Sequence, residues 1–334
     1  MNKELRHISY CLIALLLIVA CRKESHPNTP EEPEQPEQHY PICMDASSNG
    51  MSTSRVLVTD DATLQTTDLG VFAYKQLADG TRVRVFNNEN VYHNGSVWTY
   101  DNTKYWDRAA TDYYFVSYSP HQVAGVEFNE NGTLTISNIP NWQAIDANAK
   151  DYVAAKHRDA VEGGYITANG VQPVPLDFKH ILCQLEVKVV KNPFLVNTYT
   201  LSQIDYANIP AKEGTSTYMN TLNGGNMRSS VGATPITMAT LNDVEVGKDA
   251  TENTTLKHLV VPFTTETDNF EISLDYKVNG VGRQDTVDTQ LNQLEENKRY
   301  VLTLTFNSGA AVTSKLEILD WEDVDTDEDD KYNW

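Results

Sequence analysis

The residue with the most definite chemistry is Cys21. It follows Leu17-Ile18-Val19-Ala20 at the end of an apolar run from Ile8 to Ala20. A small residue before a cysteine has the form of a bacterial lipobox: Ala20 suits the signal peptidase pocket, and the Cys21 thiol receives the diacylglycerol. The run is about 13 residues long, short of the roughly 20 a membrane-spanning helix needs but right for the apolar part of a signal peptide. Lys3, Arg6 and His7 supply its polar, mostly positive start. The competing readings are an ordinary signal peptide with an incidental cysteine, or a short buried helix.

Other candidate chemistry is weaker. Asp323-Val324-Asp325-Thr326-Asp327 alternates carboxylates as a calcium-binding loop begins. Glu328 stands where that loop needs its turn-forming glycine, so a solvated acidic tail is the better reading. Trp98, Trp106, Tyr113 and Tyr114 could stack sugars, with Trp98 and Trp106 the candidate ligand aromatics, or they could fill a sandwich core. There is no GxSxG, HExxH, P-loop or GxGxxG match, and His121, His157, His180 and His258 are scattered. His180, beside Phe178 at a strand start, reads as a structural histidine. Carboxylate pairs for glycoside hydrolysis can always be assembled from 46 Asp and Glu, so their presence decides nothing. The expectation is no enzyme, no cofactor and no metal site. Cys43 and Cys183 remain as thiols; a disulfide between them competes with two separately buried side chains.

The elements that position these residues are mostly strands. Leu69 to Tyr74, Arg82 to Phe86, Tyr113 to Tyr118, Ile181 to Val190, Phe270 to Val278, Tyr300 to Phe306 and Lys315 to Trp321 read as strands, several with apolar residues alternating. Asn94-Gly95 and Asn131-Gly132 mark hairpins, because Asn-Gly accepts the positive φ angles a tight turn needs, and Asn279-Gly280 follows a further strand. Only Ala144 to His157 has helical density. Many short strands with frequent turn signals predict β-sandwiches. Arg22 to His39 is rich in Pro, Glu and Gln and has no large apolar residue, so it reads as an extended tether.

The resulting division is a signal peptide over 1–20, a tether over 21–39, an N-terminal domain over 40–175, a C-terminal domain over 176–321 and an acidic tail over 322–334. The Pro-rich break Gln172-Pro173-Val174-Pro175 sets the middle boundary. Net charge is −20, of which residues 40–319 carry −11. An acidic body argues against nucleic acid and against an anionic membrane surface as partners.

Gly70-Val71-Phe72-Ala73-Tyr74, Lys104-Tyr105-Trp106 and the run from Tyr113 to Pro120 resemble the fimbrillin family, the type V pilins and pilin-like lipoproteins of the Bacteroidales. So do Asp151-Tyr152-Val153-Ala154, the run from Leu176 to Leu182, Lys298-Arg299-Tyr300 and Ile318-Leu319-Asp320-Trp321, in the same order. The resemblance implies an all-β fold of two transthyretin-like β-sandwich domains in tandem, and an outer-membrane, surface-exposed or fimbrial location. It also implies a non-enzymatic pilus subunit active in adhesion, with other pilin subunits and a surface glycan or protein as partners. In the family an arginine-specific protease removes the first strand, and a strand from another subunit fills the groove. Here that strand would lie near Pro41 to Ser47, with Arg55 as the arginine placed to be cut; an exposed loop charge is its plain alternative. The tail after Trp321 is too acidic to make a good donor strand, which favours a tip or accessory subunit over a stalk subunit. A permanently anchored, glycan-binding surface lipoprotein is the alternative function. A lipoprotein hydrolase is a distant third.

Overall fold

The computed structural model describes residues 40–48, 61–129, 132–146, 148–160, 166–167, 170–221, 224–226, 231–265, 268–308 and 312–321. Cys21, the tether, Arg55 and the acidic tail lie outside them. The described residues fall within one unit and are almost entirely β. Among them, no helix is long and apolar enough to cross a membrane.

The N-terminal half builds a seven-stranded sheet. Its order is Met44–Ser48 (β1), Val174–His180, Val153–Ala160, Ala110–Ser119, Leu69–Leu77, Arg82–His93 and Trp98–Thr99. Period-two alternation explains why these segments are strands. Val71 and Ala73, Tyr113 and Phe115, and Val174, Leu176 and Phe178 all point into one core. Phe72, Val116 and Tyr118 point the other way, into a second apolar layer shared with Leu134, Ile136, Leu182, Tyr218 and Trp321.

The C-terminal half forms a sandwich. A five-stranded sheet runs Val312–Asp320, Lys298–Phe306, Cys183–Lys191, Thr255–Val260, Trp142–Ala144. A four-stranded sheet runs Ile236–Glu245, Tyr199–Ala207, Glu271–Val278, Val281–Asp288. Leu185, Val187, Ile204, Tyr206, Leu274, Tyr276, Leu302 and Phe306 share their core. The two halves also trade strands. Trp142–Ala144 pairs with Thr255–Val260, and Leu134–Pro140 pairs with Thr215–Thr221. Val174–His180 stays in the first sheet because its alternate residues fill the first core, so the crossing to the second sandwich comes at Ile181-Leu182, just beyond the Pro-rich break.

The turns follow the asparagine–glycine logic unevenly. Asn279 and Gly280 both have positive φ (49° and 82°) and join Val278 directly to Val281, a tight two-residue hairpin. At Asn94-Gly95 only the glycine is left-handed, and the loop is longer, closing with Asn94 N–H on Val97 O at 3.1 Å. The expected helix over Ala144–His157 is absent from the described residues of that span. Val153–Ala160 is a strand, with Val153 and Ala155 in one core and Tyr152 and Ala154 in the other. Its alanines, which read as helix formers, are small residues packed between two layers.

Two positions carry predictions. Gly70 lies under the Tyr118 ring, and a Cβ there would collide with that ring. Tyr118 is held by the hydrogen bond from its hydroxyl to Asn88 Oδ1 at 2.8 Å, so it has little room to yield. Gly70→Ala should cost about 1–3 kcal/mol, read as a lowered urea midpoint. His258 is buried against Trp142 and Tyr206. Burial, assisted by Lys212, pushes its pKa down from 6.5 to about 4. The imidazole is therefore neutral when folded but takes up a proton on unfolding below about pH 6.5. Stability is full above that pH, falls by up to about 3 kcal/mol as the pH drops toward 4, and loses nothing further from this group below it. In His258→Phe that part of the acid sensitivity should vanish when urea midpoints are compared at pH 7 and pH 4.5.

Candidate assembly site: the sheet-closing strand

The segment around β1 is held from both sides. On one flank β1 runs parallel to Val174–His180, in register from Met44 opposite Val174 to Ser48 opposite Phe178. Val174 N–H donates to Cys43 O at 2.9 Å. On the other flank the same segment meets the far end of the sheet. Ile42 N–H donates to Lys104 O at 2.9 Å, and Trp106 N–H donates to Tyr40 O at 2.8 Å. The Tyr100 hydroxyl donates to Ile42 O at 2.7 Å, and the Trp98 indole N–H donates to Ala46 O at 3.1 Å. The segment thus bridges the two ends of a curled sheet. Without it, both flanks present unpaired backbone groups across an apolar trough.

Side chains fill that trough alternately. Ile42 (1% exposed), Met44 and Ala46 (4%) point into the first core, while Asp45 points out. Fully burying Ile42 and Met44 contributes about 1.5–3 kcal/mol each. Ser48 ends the strand, its N–H donating at 2.8 Å to Asp61 Oδ1, the first residue of the one-turn helix Asp61–Leu64. Burial pushes the Tyr100 phenol up to about 12, so it remains a hydrogen-bond donor at any ordinary pH.

Trp98 and Trp106 sit in this core, 8% and 7% exposed, with Trp106 edge-on to Tyr113 at 4.6 Å between centroids. A sugar-stacking platform needs an open ring face, and these rings turn theirs to protein. Tyr113 is buried with them, and Tyr114 is buried on the opposite face. Cys43 and Cys183 are not joined by a disulfide. The Cys183 thiol is buried in the C-terminal core and donates to Val260 O at 3.2 Å, and burial pushes its pKa up. Among the described residues, no group of three or more His, Cys, Asp or Glu is placed to hold a metal.

His180 is buried, with Nδ1 3.0 Å from Asp151 Oδ1 and its ring stacked on Trp321. The last strand, Val312–Asp320, is an edge of the five-stranded sheet. Leu316 leans on the C-terminal core, Ile318 is 53% exposed, and Trp321 is buried in the layer shared by the two halves. The contacts made by Tyr100 and Asp61 had no signal in the sequence. Tyr100 reaches Ile42 across 58 positions and Asp61 reaches Ser48 across 13, and isolated polar contacts of this kind leave no periodic trace.

Solved structures with the same fold include a fimbrial protein from Bacteroides vulgatus ATCC 8482. It is 14% identical with a TM-score of 0.55, over 85% of this chain and 100% of that one. A proposed cell-adhesion protein from Bacteroides uniformis ATCC 8492 is 17% identical with a TM-score of 0.52, over 84% of this chain and 99% of that one. No curated protein sequence matches. The fimbrillin-like family profile matches residues 54–321, from just past β1 to the last described residue. The chain belongs to the fimbrillin-like family.

Proposed function

We propose that this protein is a non-enzymatic pilus subunit, exported as a lipoprotein on Cys21 and assembled by exchanging β1 for a strand of a neighbouring subunit. The observation that carries this reading is the two-sided seat of residues 40–48. The segment donates and accepts backbone hydrogen bonds on both flanks, buries alternate side chains, and is tied to the body by no disulfide. Any extended segment with small or apolar side chains at alternate positions can take the same place, since main-chain bonds are indifferent to sequence. Arg55 lies between β1 and Asp61–Leu64, so cleavage there would free the strand without cutting a described element. The family match beginning at residue 54 fits a mature subunit that starts beside that arginine.

The acidic segment after Trp321 is a poor donor, because closely spaced like charges oppose burial in an apolar trough. This supports a tip or accessory position, in which the subunit accepts a strand without giving one. Adhesion to a surface glycan or protein, and anchoring to the outer membrane before cleavage, complete the reading.

The test is the N-terminus of the protein recovered from its native cell surface. Intact mass and peptide sequencing should find a start at Val56, and Arg55→Ala should abolish both that species and incorporation into filaments. A shortened protein in filaments of the Arg55→Ala variant would rule out cleavage there. A lipid-modified Cys21 start alone would favour a permanently anchored lipoprotein.

A further inference from the structure

Trp321 is the last described residue, and its place is well defined. Its indole is 2% exposed and stacks on the His180 ring, with centroids 3.8 Å apart and planes 11° from parallel. The Trp321 backbone N–H donates to Asn297 O at 3.2 Å, and neighbouring Glu296 lies within electrostatic reach of Lys156 and Lys179. Trp321, stacked on His180 directly after Lys179 in the sequence, therefore lies on the side of the body that carries those two lysines.

Both lysines are exposed and belong to a longer row of cations. Lys179 directly opposes Ala154, and Lys156 and Arg158 follow Ala154 at every second residue, on the same face of the first sheet. The Arg158 guanidinium lies 5.0 Å from the centre of the Tyr114 ring, and that of Arg82 lies 5.6 Å from it. Tyr114 opposes Tyr74 across the next strand pair, and Arg84 donates to the Tyr74 hydroxyl at 2.7 Å. Asp112, 3.3 Å from Arg158, and the exposed Glu296 are carboxylates that face this row. In a chain of net charge −20, a cationic row over a tyrosine floor stands apart from its surroundings.

The sequence beyond Trp321 has the complementary charge. Glu322, Asp323, Asp325, Asp327, Glu328, Asp329 and Asp330 precede a single Lys331. Asp323, Asp325 and Asp327 recur at every second residue, about 6.6 Å apart in an extended chain, which is also the spacing of Lys156 and Arg158 along their strand. The row from Ala154 to Arg158 spans about 13 Å, within reach of the first few residues after Trp321.

We propose that the acidic segment 322–334 docks in cis along the Lys179–Lys156–Arg158 row, its alternate carboxylates facing the exposed cations. The alternating aspartates that resembled the start of a calcium loop then have a different role, as the charges that set this register. A tail held on its own body is also withheld from any neighbour. The inference goes beyond the strand-exchange reading and stands whether or not Arg55 is cut.

Zero-length carbodiimide cross-linking of the full chain, followed by peptide mass spectrometry, tests it. An equal mixture of ¹⁴N- and ¹⁵N-labelled protein distinguishes cis from trans links. Expected are cross-links from Lys156 and Lys179 to residues 322–330 within single copies, reduced at least about fivefold in 0.5 M salt. Reversing the charges in Arg82→Glu/Arg158→Glu should lower the Lys156 yield about tenfold. Lys248→Glu, on the exposed far end of the C-terminal half, should leave it unchanged. Cross-links spread evenly over Lys104, Lys248 and Lys315, cross-links only between differently labelled copies, or a yield indifferent to the arginine reversals would each overturn the proposal.

Discussion

Ala46→Asp should expel β1 from its seat while leaving the rest of the fold standing. The Ala46 side chain is in the first core, and its carbonyl accepts the Trp98 indole N–H. A carboxylate at that position must be buried without a built-in partner, protonated, or moved to water. Burying it charged costs several kcal/mol, and even the neutral acid leaves hydroxyl and carbonyl groups to satisfy. That cost matches the roughly 3–6 kcal/mol by which Ile42 and Met44 together hold the strand. Departure is therefore the cheapest response, because no disulfide ties β1 to the body and its one covalent link to it is the chain that follows Ser48. Hydrogen exchange should show the Val174–Phe178 amides losing protection while Cys183–Lys191 keeps its own. Limited proteolysis should cut within residues 40–48. A synthetic peptide of residues 40–48 carrying the natural Ala46 should restore protection when added in excess, which loss of folding could not allow. If Val174–Phe178 stays protected, or if protection is lost everywhere at once, β1 is not a separable element and strand exchange loses its physical basis.

The second large effect lies far from that strand. Glu186 is 2% exposed in the middle of the five-stranded sheet, and Arg299 Nη2 lies 3.0 Å from its Oε2. Lys257 and Lys188 approach Oε1 at 3.5 and 3.6 Å. Burial by itself raises the Glu186 carboxyl; the Arg299 hydrogen bond and the three cations together more than offset it and hold the group below its ordinary range. Arg299→Ala leaves a buried carboxylate with only the two lysines, which are partly solvated. Removing one partner of a buried pair typically costs about 3–5 kcal/mol; with the lysines still in place, the lower end is expected, read from the urea midpoint at pH 7. Glu186→Met/Arg299→Met should recover most of that loss, since replacing both ions with apolar groups of similar size is often neutral or better. A single variant as stable as the natural protein would mean the lysines alone suffice for Glu186. These two sites share no side chain, so Arg299→Ala should not alter the proteolytic release of β1 at equal fractional stability.

Much of this protein was legible in its residues, for identifiable physical reasons. Strand alternation has period two and is local, so strands could be placed at Leu69–Tyr74, Tyr113–Tyr118, Tyr300–Phe306 and Lys315–Trp321 from their own composition, and the observed strands overlap each of them. The Asn279-Gly280 hairpin was equally local, since only residues tolerant of positive φ fit both positions. The alanine-rich stretch over Ala144–His157 misled because helix propensity is a weak local preference, and two packed layers that need small side chains outweigh it.

What the tertiary structure alone decided is which strand closes which sheet. Only the family resemblance implied a strand near Pro41 to Ser47. Its meaning comes from lying between Val174–His180 and the Trp98–Trp106 stretch, partners far away in sequence. Trp98 and Trp106 offered two fates in the sequence, ligand platform or core, and the closing strand decided between them by covering them. Likewise, the sequence by itself established that the segment after Trp321 is rich in acids, with Asp323, Asp325 and Asp327 alternating. Only the fold set Trp321 beside Lys156 and Lys179. Local chemistry determines what each segment can become, because backbone geometry and side-chain alternation act over a few residues. Which segments meet depends on how apolar surface from the whole chain is shared among three clusters, and no short stretch of sequence contains that information.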